Sequence, residues 1–141
     1  MATEKILLVD DEVEFVSALA ERLRARGLEV DTANSGKEAL VKAKAQHPDA
    51  VVLDLARPGM DGVETLKALL ADNADLQVML LTGQATIRTA LAATRLGAID
   101  VLEKPTDIAT LLEKIREARA RRQALATNQG GVGSNPAGRA R

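Results

Sequence analysis

The sequence predicts an α/β fold, a doubly wound parallel sheet with helices on both faces. Three observations carry this. Four short apolar runs, Ile6–Val9, Ala50–Leu53, Val78–Leu81 and Ile99–Leu102, are rich in β-branched residues and too brief for helices. Between them lie longer stretches with apolar residues at helical spacing. At 141 residues and 46% hydrophobic, the chain has the size and apolar content of one domain. Strands covered on both faces read as unbroken apolar runs. Strand–helix alternation gives parallel strands joined by right-handed crossovers.

The elements follow in order. Strand Ile6–Val9 precedes a helix over about Glu12–Arg26, with Val16, Leu19, Ala20 and Leu23 on one face. Gly27 closes that helix, with Leu28 behind it. The weaker run Leu28–Thr32 alternates in polarity and reads as an edge strand. A second helix opens at Ser35 and carries Ala39, Leu40 and Ala43. His47, the one histidine, stands before Pro48 in a loop and reads as a surface residue. After strand Ala50–Leu53, a third helix covers about Gly62–Ala71, with Val63, Leu66 and Leu70. After Val78–Leu81, a fourth covers about Ala85–Leu96 and ends at Gly97. After Ile99–Leu102, a fifth covers about Asp107–Leu125. The folded domain is thus residues 1–125. Residues 126–141, rich in glycine and polar groups, are expected to form a disordered tail.

Composition excludes several classes of function. Nineteen basic against twenty acidic residues leave a net charge of −1, which excludes binding nucleic acid mainly through phosphates. Without cysteine there is no disulfide framework, thiolate zinc site or cysteine nucleophile. No apolar run approaches the ~18 residues of a membrane span, and Met1–Lys5 lacks a signal-peptide pattern. One Phe, no Tyr and no Trp nearly exclude base stacking and aromatic cages.

In doubly wound sheets ligands bind beyond the carboxyl ends of the strands. There the chain places Asp10 and Asp11, Asp54, Thr82, and Lys104 before Pro105. Each has a plain structural reading when taken singly. The acid pair suits the start of a helix; Asp54 and Thr82 suit turns; Lys104 suits a solvated loop. Together, three carboxylates beside one ammonium give a local charge near −2. Like charges ~4 Å apart repel by about 4 kcal/mol at an effective dielectric of ~20. A divalent cation would relieve that repulsion, and all-oxygen ligands favour Mg²⁺. Metal, lysine and hydroxyl together suit a phosphoryl group, and an Asp can act as its nucleophile.

These residues and their surroundings resemble the response-regulator receiver domains of bacterial two-component signalling. The matching segments are ILLVDDE (Ile6–Glu12), VVLDLARPGMDG (Val51–Gly62), VMLLTG (Val78–Gly83) and GAIDVLEKP (Gly97–Pro105). The resemblance covers about Lys5–Gln123 and implies a flavodoxin-like five-stranded sheet in order 2-1-3-4-5. It implies Asp54 as phosphoacceptor and Lys104 as the group contacting phosphoryl oxygens. Thr82 would be the switch hydroxyl that swings toward them. Asp11 and Asp54 would bind Mg²⁺ directly, Asp10 largely through water, and Ala56 through its backbone carbonyl. The Lys104–Pro105 bond would be cis.

The implied donor is a phosphohistidine on a sensor histidine kinase or phosphotransfer protein. Such a protein is not a conventional enzyme. It catalyses its own phosphorylation and slow dephosphorylation, works in the cytoplasm, and signals by phosphorylation-dependent contact with an output protein, including a homodimer formed on phosphorylation. It would bind neither membrane nor nucleic acid directly. With only a short polar stretch after Gln123, a stand-alone receiver is expected; a fragment of a larger transcriptional regulator is the alternative. A haloacid-dehalogenase-like phosphatase is disfavoured, because Ala56 stands where that chemistry wants a second Asp.

Some positions depart from the family pattern. Arg57 replaces the usual Met, and Ala56 and Gln84 stand where side chains influence access of hydrolytic water. Val101 replaces the Tyr or Phe that normally changes rotamer with Thr82, which puts that relay in doubt. Phe15, the sole aromatic, is either core or part of the rim where a kinase docks. The cluster Arg116, Arg119, Arg121 and Arg122 is either solvated or faces an acidic partner.

Overall fold

The computed structural model describes residues 4–53, 62–83, 87–104 and 106–131. The element order is β1 (Lys5–Val9), α1 (Val13–Arg24), β2 (Glu29–Ala33), α2 (Gly36–Gln46), β3 (Ala50–Leu53), α3 (Gly62–Asp72), β4 (Val78–Thr82), α4 (Ile87–Arg95), β5 (Asp100–Glu103) and α5 (Ile108–Gly131). All neighbouring strands pair in parallel, in the order β2-β1-β3-β4-β5.

The unbroken apolar runs are explained by two cores, one on each face of the sheet. Side chains alternate faces along a strand. Ile6, Leu8, Val52, Met79 and Leu81 therefore pack with Val16, Leu19 and Leu23 of α1 and Leu111 and Ile115 of α5. Leu7, Val9, Val51, Leu53, Val78 and Leu80 pack on the other side with Ala39 and Ala43 of α2, Leu66 and Leu69 of α3 and Ala93 of α4. On α3 the deep contact is Leu69, while Leu70 is only half-buried.

Helix ends follow local chemistry. Beyond α1, Gly27 adopts φ +93°, a left-handed conformation that a Cβ disfavours, and Leu28 N–H returns to the Leu23 carbonyl at 3.3 Å. Ser35 caps α2, its hydroxyl accepting the Glu38 N–H at 3.1 Å. His47 ends α2 at φ 50° and is exposed, as expected for a surface histidine.

Two expectations are corrected. The apolar run Ile99–Leu102 reads as covered on both faces, but β5 is the second edge of the sheet, as the implied order 2-1-3-4-5 has it, and its residues are half-buried or exposed. The last helix runs six residues past Leu125, to Gly131, so the backbone of 126–131 is helix where a tail was expected. Nothing between Leu125 and Gly130 breaks a helix; Gly130-Gly131 is the first weak point. The rest of the expected tail lies outside the described residues.

Both edge strands carry the same device. Ladder bonds Glu29 N–H to Glu4 O and Asp10 N–H to Ala33 O point Val30 and Thr32 away from β1. The Arg24 guanidinium donates to the Val30 carbonyl at 2.7 and 3.3 Å, and Lys42 Nζ donates to the Thr32 carbonyl at 2.6 Å. Thr32 N–H donates to Asp31 Oδ1 at 2.8 Å, and Lys42 pairs with that carboxylate. On β5, Val101 N–H donates to Asp100 Oδ1 at 2.9 Å, and Lys114 Nζ lies 3.0 Å from Asp100 Oδ2.

Candidate functional site

The strand ends bring four of the expected residues, Asp10, Asp11, Thr82 and Lys104, to one rim. Asp10 follows β1 directly and is 3% exposed. Its carbonyl accepts from Asn34 Nδ2 at 3.1 Å, and its Oδ1 accepts the Glu12 N–H at 2.9 Å. The carboxylate thus closes a turn just ahead of α1, whose N-cap, Glu12, makes no capping side-chain bond. Asp11 beside it is half-exposed. Thr82 ends β4 fully buried, and its carbonyl accepts the Lys104 N–H at 2.8 Å.

Lys104 follows β5, yet its ammonium lies 2.8 Å from Asp10 Oδ2. β1 and β5 stand three positions apart in the sheet. At ~4.8 Å per strand this is roughly 14 Å of backbone separation. The side chain therefore spans the rim from the β5 edge toward the end of β1. The place where β1 gives way to β3 is the crevice in which doubly wound sheets bind ligands. Leu53, the last residue of β3, pairs with Val9, so β3 and β1 end side by side.

Further contacts hold the ammonium. Glu12 Oε1 lies 3.5 Å away, and the Phe15 ring centroid 4.3 Å away. Phe15 is half-buried and packs on the α1–α5 core, so its ring touches both the core and the rim. Glu12, Asn34 and the Phe15–Lys104 contact are what sequence reasoning missed. Glu12 was visible only as a third acid in a row, and Asn34 only as the residue before the Ser35 cap.

Asp54, Ala56, Arg57, Gln84 and Pro105 lie outside the described residues, and with them the expected acceptor, the carbonyl ligand and the cis bond. Among the described residues no three acids or histidines converge as a metal cluster. Val101 is half-buried against the α2–α4 side of the core. The arginine cluster divides. Arg119 pairs with Glu4 at 3.4 Å and Arg122 with Asp49 at 2.8 Å, whereas Arg116 and Arg121 are exposed.

A cleft of about 730 Å³ opens at the opposite, amino-terminal end of the strands, lined among others by Lys5, Arg24, Asp31 and His47. Its Arg24 and Asp31 are engaged with Val30 O and with Lys42 and Gln46, so it lacks the converging charge of the rim.

Comparison with known proteins agrees with this fold. The family model for the response regulator receiver domain matches residues 6–116. The chain is 37% identical over 128 residues to the transcriptional regulatory protein PrrA of Mycobacterium leprae, covering 91% of this chain and 55% of that protein. It is 35% identical over 140 residues to the transcriptional regulatory protein ZraR of Escherichia coli K12, covering 94% and 32%. The chain thus spans about half or less of these relatives. Among solved structures, the receiver domain of NtrX from Brucella abortus superposes with TM-score 0.76 at 33% identity, covering 82% of this chain and 98% of that one. A CheY-like receiver domain protein from Methanospirillum hungatei gives TM-score 0.81 at 26% identity, covering 88% and 99%.

Proposed function

The chain belongs to the response regulator receiver domain family, and from that premise we propose that it accepts a phosphoryl group on Asp54. The supporting observation is Lys104, held across the strand ends with its ammonium 2.8 Å from Asp10. A cation so placed, beside the point where β1 and β3 end together, stands where a phosphoryl group on the residue after Leu53 would need charge neutralised.

In the transfer, an Asp54 carboxylate oxygen attacks phosphorus. The phosphorus–nitrogen bond of the donor phosphohistidine breaks, and the imidazole leaves with the bonding pair and takes up a proton. The donor is a sensor histidine kinase or a histidine phosphotransfer protein. Lys104 binds phosphoryl oxygens, and the Thr82 hydroxyl donates to one of them in the phosphorylated state. The donor set Asp10, Asp11, Asp54 and the Ala56 carbonyl is all oxygen, which fits Mg²⁺. When bound, that ion supplies neutralisation of charge on the transferring group. Asp10 is already committed to Lys104 and to the Glu12 amide, which favours contact with the ion through water.

A longer context is a second reading. The relatives named as transcriptional regulators extend well beyond the matched region, which supports a receiver that works as part of a larger regulator. No described helix is long and apolar enough to cross a membrane.

The test is incubation with Mg²⁺ and acetyl phosphate, followed by intact mass measurement. The wild type should gain one phosphate increment and Asp54→Asn none. An increment that survives in Asp54→Asn would overturn the assignment.

A further inference from the structure

We propose that Phe15 is a positioning residue, whose ring holds the Lys104 ammonium in place at the strand ends. The inference deepens the phosphoacceptor reading and rests on it for its functional consequence. Lys104 Nζ stands 4.3 Å from the Phe15 ring centroid. That is well inside the ~6 Å over which an aromatic face attracts a cation. The ring is fixed from beneath, because Phe15 packs against the α1–α5 core. The Lys104 side chain is only 14% exposed, so little water competes for the contact.

The chemistry favours a ring in this position. Asp10 and Glu12 attract the same ammonium at 2.8 and 3.5 Å. Each carboxylate also takes up N–H donors that phosphoryl oxygens need. An aromatic face attracts the charge through its quadrupole and presents no localised anion. It covers one side of the ammonium and leaves N–H groups for oxygen ligands. A donor aimed before the transferring group arrives needs no reorganisation during the reaction.

Composition makes the contact readable. Phe15 is the only Phe, Tyr or Trp in the chain. His47, the one other ring apart from prolines, is exposed beside the cleft at the amino-terminal end of the strands. A lysine ε-methylene whose upfield shift is lost in Phe15→Leu is therefore assigned to Lys104, whose ammonium lies over that ring.

The experiment combines proton NMR with phosphorylation kinetics on the full chain, using acetyl phosphate and Mg²⁺. In the wild type the Lys104 ε-methylene should lie upfield of all other lysines. Phe15→Leu keeps apolar bulk and loses the π face. It should abolish that shift and slow phosphorylation about fivefold or more, since the contact is largely shielded from water. Phe15→Tyr should restore both. In a Lys104→Ala background, Phe15→Leu should slow the reaction no further. A wild-type Lys104 methylene among the exposed lysines, or wild-type kinetics in Phe15→Leu, would overturn the proposal. A wild type that takes up no phosphate overturns the phosphoacceptor reading instead, while the ring-current arm still decides whether Phe15 holds Lys104.

Discussion

Lys104 Nζ and Asp10 Oδ2 lie 2.8 Å apart although their strands are separated by two others. The two side chains are 14% and 5% exposed, so neither charge is well hydrated. Removing one member takes from the other its nearest opposite charge. Lys104→Met should destabilise the fold by about 3 kcal/mol, the scale for breaking a buried pair. Asp10→Asn combined with Lys104→Met should cost less than the sum of the single changes. Urea denaturation of the four proteins measures this; strict additivity would show that the two residues are not coupled.

The edge of β2 carries a pH dependence. Burial works against ionisation of Asp31, but hydrogen bonds from Gln46, the Thr32 N–H and Lys42 outweigh it and hold its carboxyl below the usual range. Hydrogen bonds with Asn34 N–H and Lys42 lower Glu38 likewise. Burial opposes the charge of Lys42, yet Asp31 and Glu38 raise it above the usual lysine range. A lowered carboxyl stabilises the fold above its unfolded value and loses that contribution as pH falls through its folded value. A raised lysine stabilises below its unfolded value and loses that contribution as pH rises through its folded value. The stability gap between wild type and Asp31→Asn should therefore be flat at intermediate pH. It should shrink below about pH 4 and above about pH 10. Denaturation midpoints across that range check it; a gap independent of pH would contradict it.

Ser35 closes α2 with a hydroxyl that accepts the Glu38 N–H, while Glu38 Oε1 accepts the Asn34 N–H at 2.8 Å. Ser35→Ala should cost about 1 kcal/mol and Ser35→Gly only a few tenths. Thermal melting of both variants gives the comparison, and equal losses would argue that the hydroxyl is not the cap.

Asp49 ties α5 to the start of the sheet. It is 8% exposed, and its carboxylate accepts the Lys5 N–H and Arg122 Nη1, each at 2.8 Å. Asp49→Ala should cost about 2 kcal/mol, because a backbone donor loses its partner. Arg122→Ala should cost less, since the Lys5 N–H stays satisfied. Chemical denaturation distinguishes the two, and the reverse order would place the main contribution in the ion pair.

The central strands were legible because their neighbours on both faces are apolar, and β3 occupies Ala50–Leu53 as read. The burial of β5 was misread because its composition is that of a central strand; its edge rank came from the family resemblance, since rank in a sheet is not written locally. The fifth helix was cut short at a change of composition that brings no helix breaker with it. At the rim, Asp10, Thr82 and Lys104 stand at strand ends as read, because the strands themselves were legible. Glu12, Asn34 and the ring beneath Lys104 were not, since each depends on how far one side chain reaches toward another element. The choice posed for Phe15, core or recognition, left out this third partner.

The two capped edges of the sheet bear on how other proteins can read this one. On β2, three of the four backbone groups of Val30 and Thr32 are taken by Arg24, Asp31 and Lys42, and on β5 the Val101 amide is taken by Asp100. An extended peptide offering only its main chain would have to displace charged side chains before it could add itself as a sixth strand. Association is thereby steered to the helices and loops. In a cell that holds many similar sheets, such closed edges would suppress cross-pairing that ignores sequence.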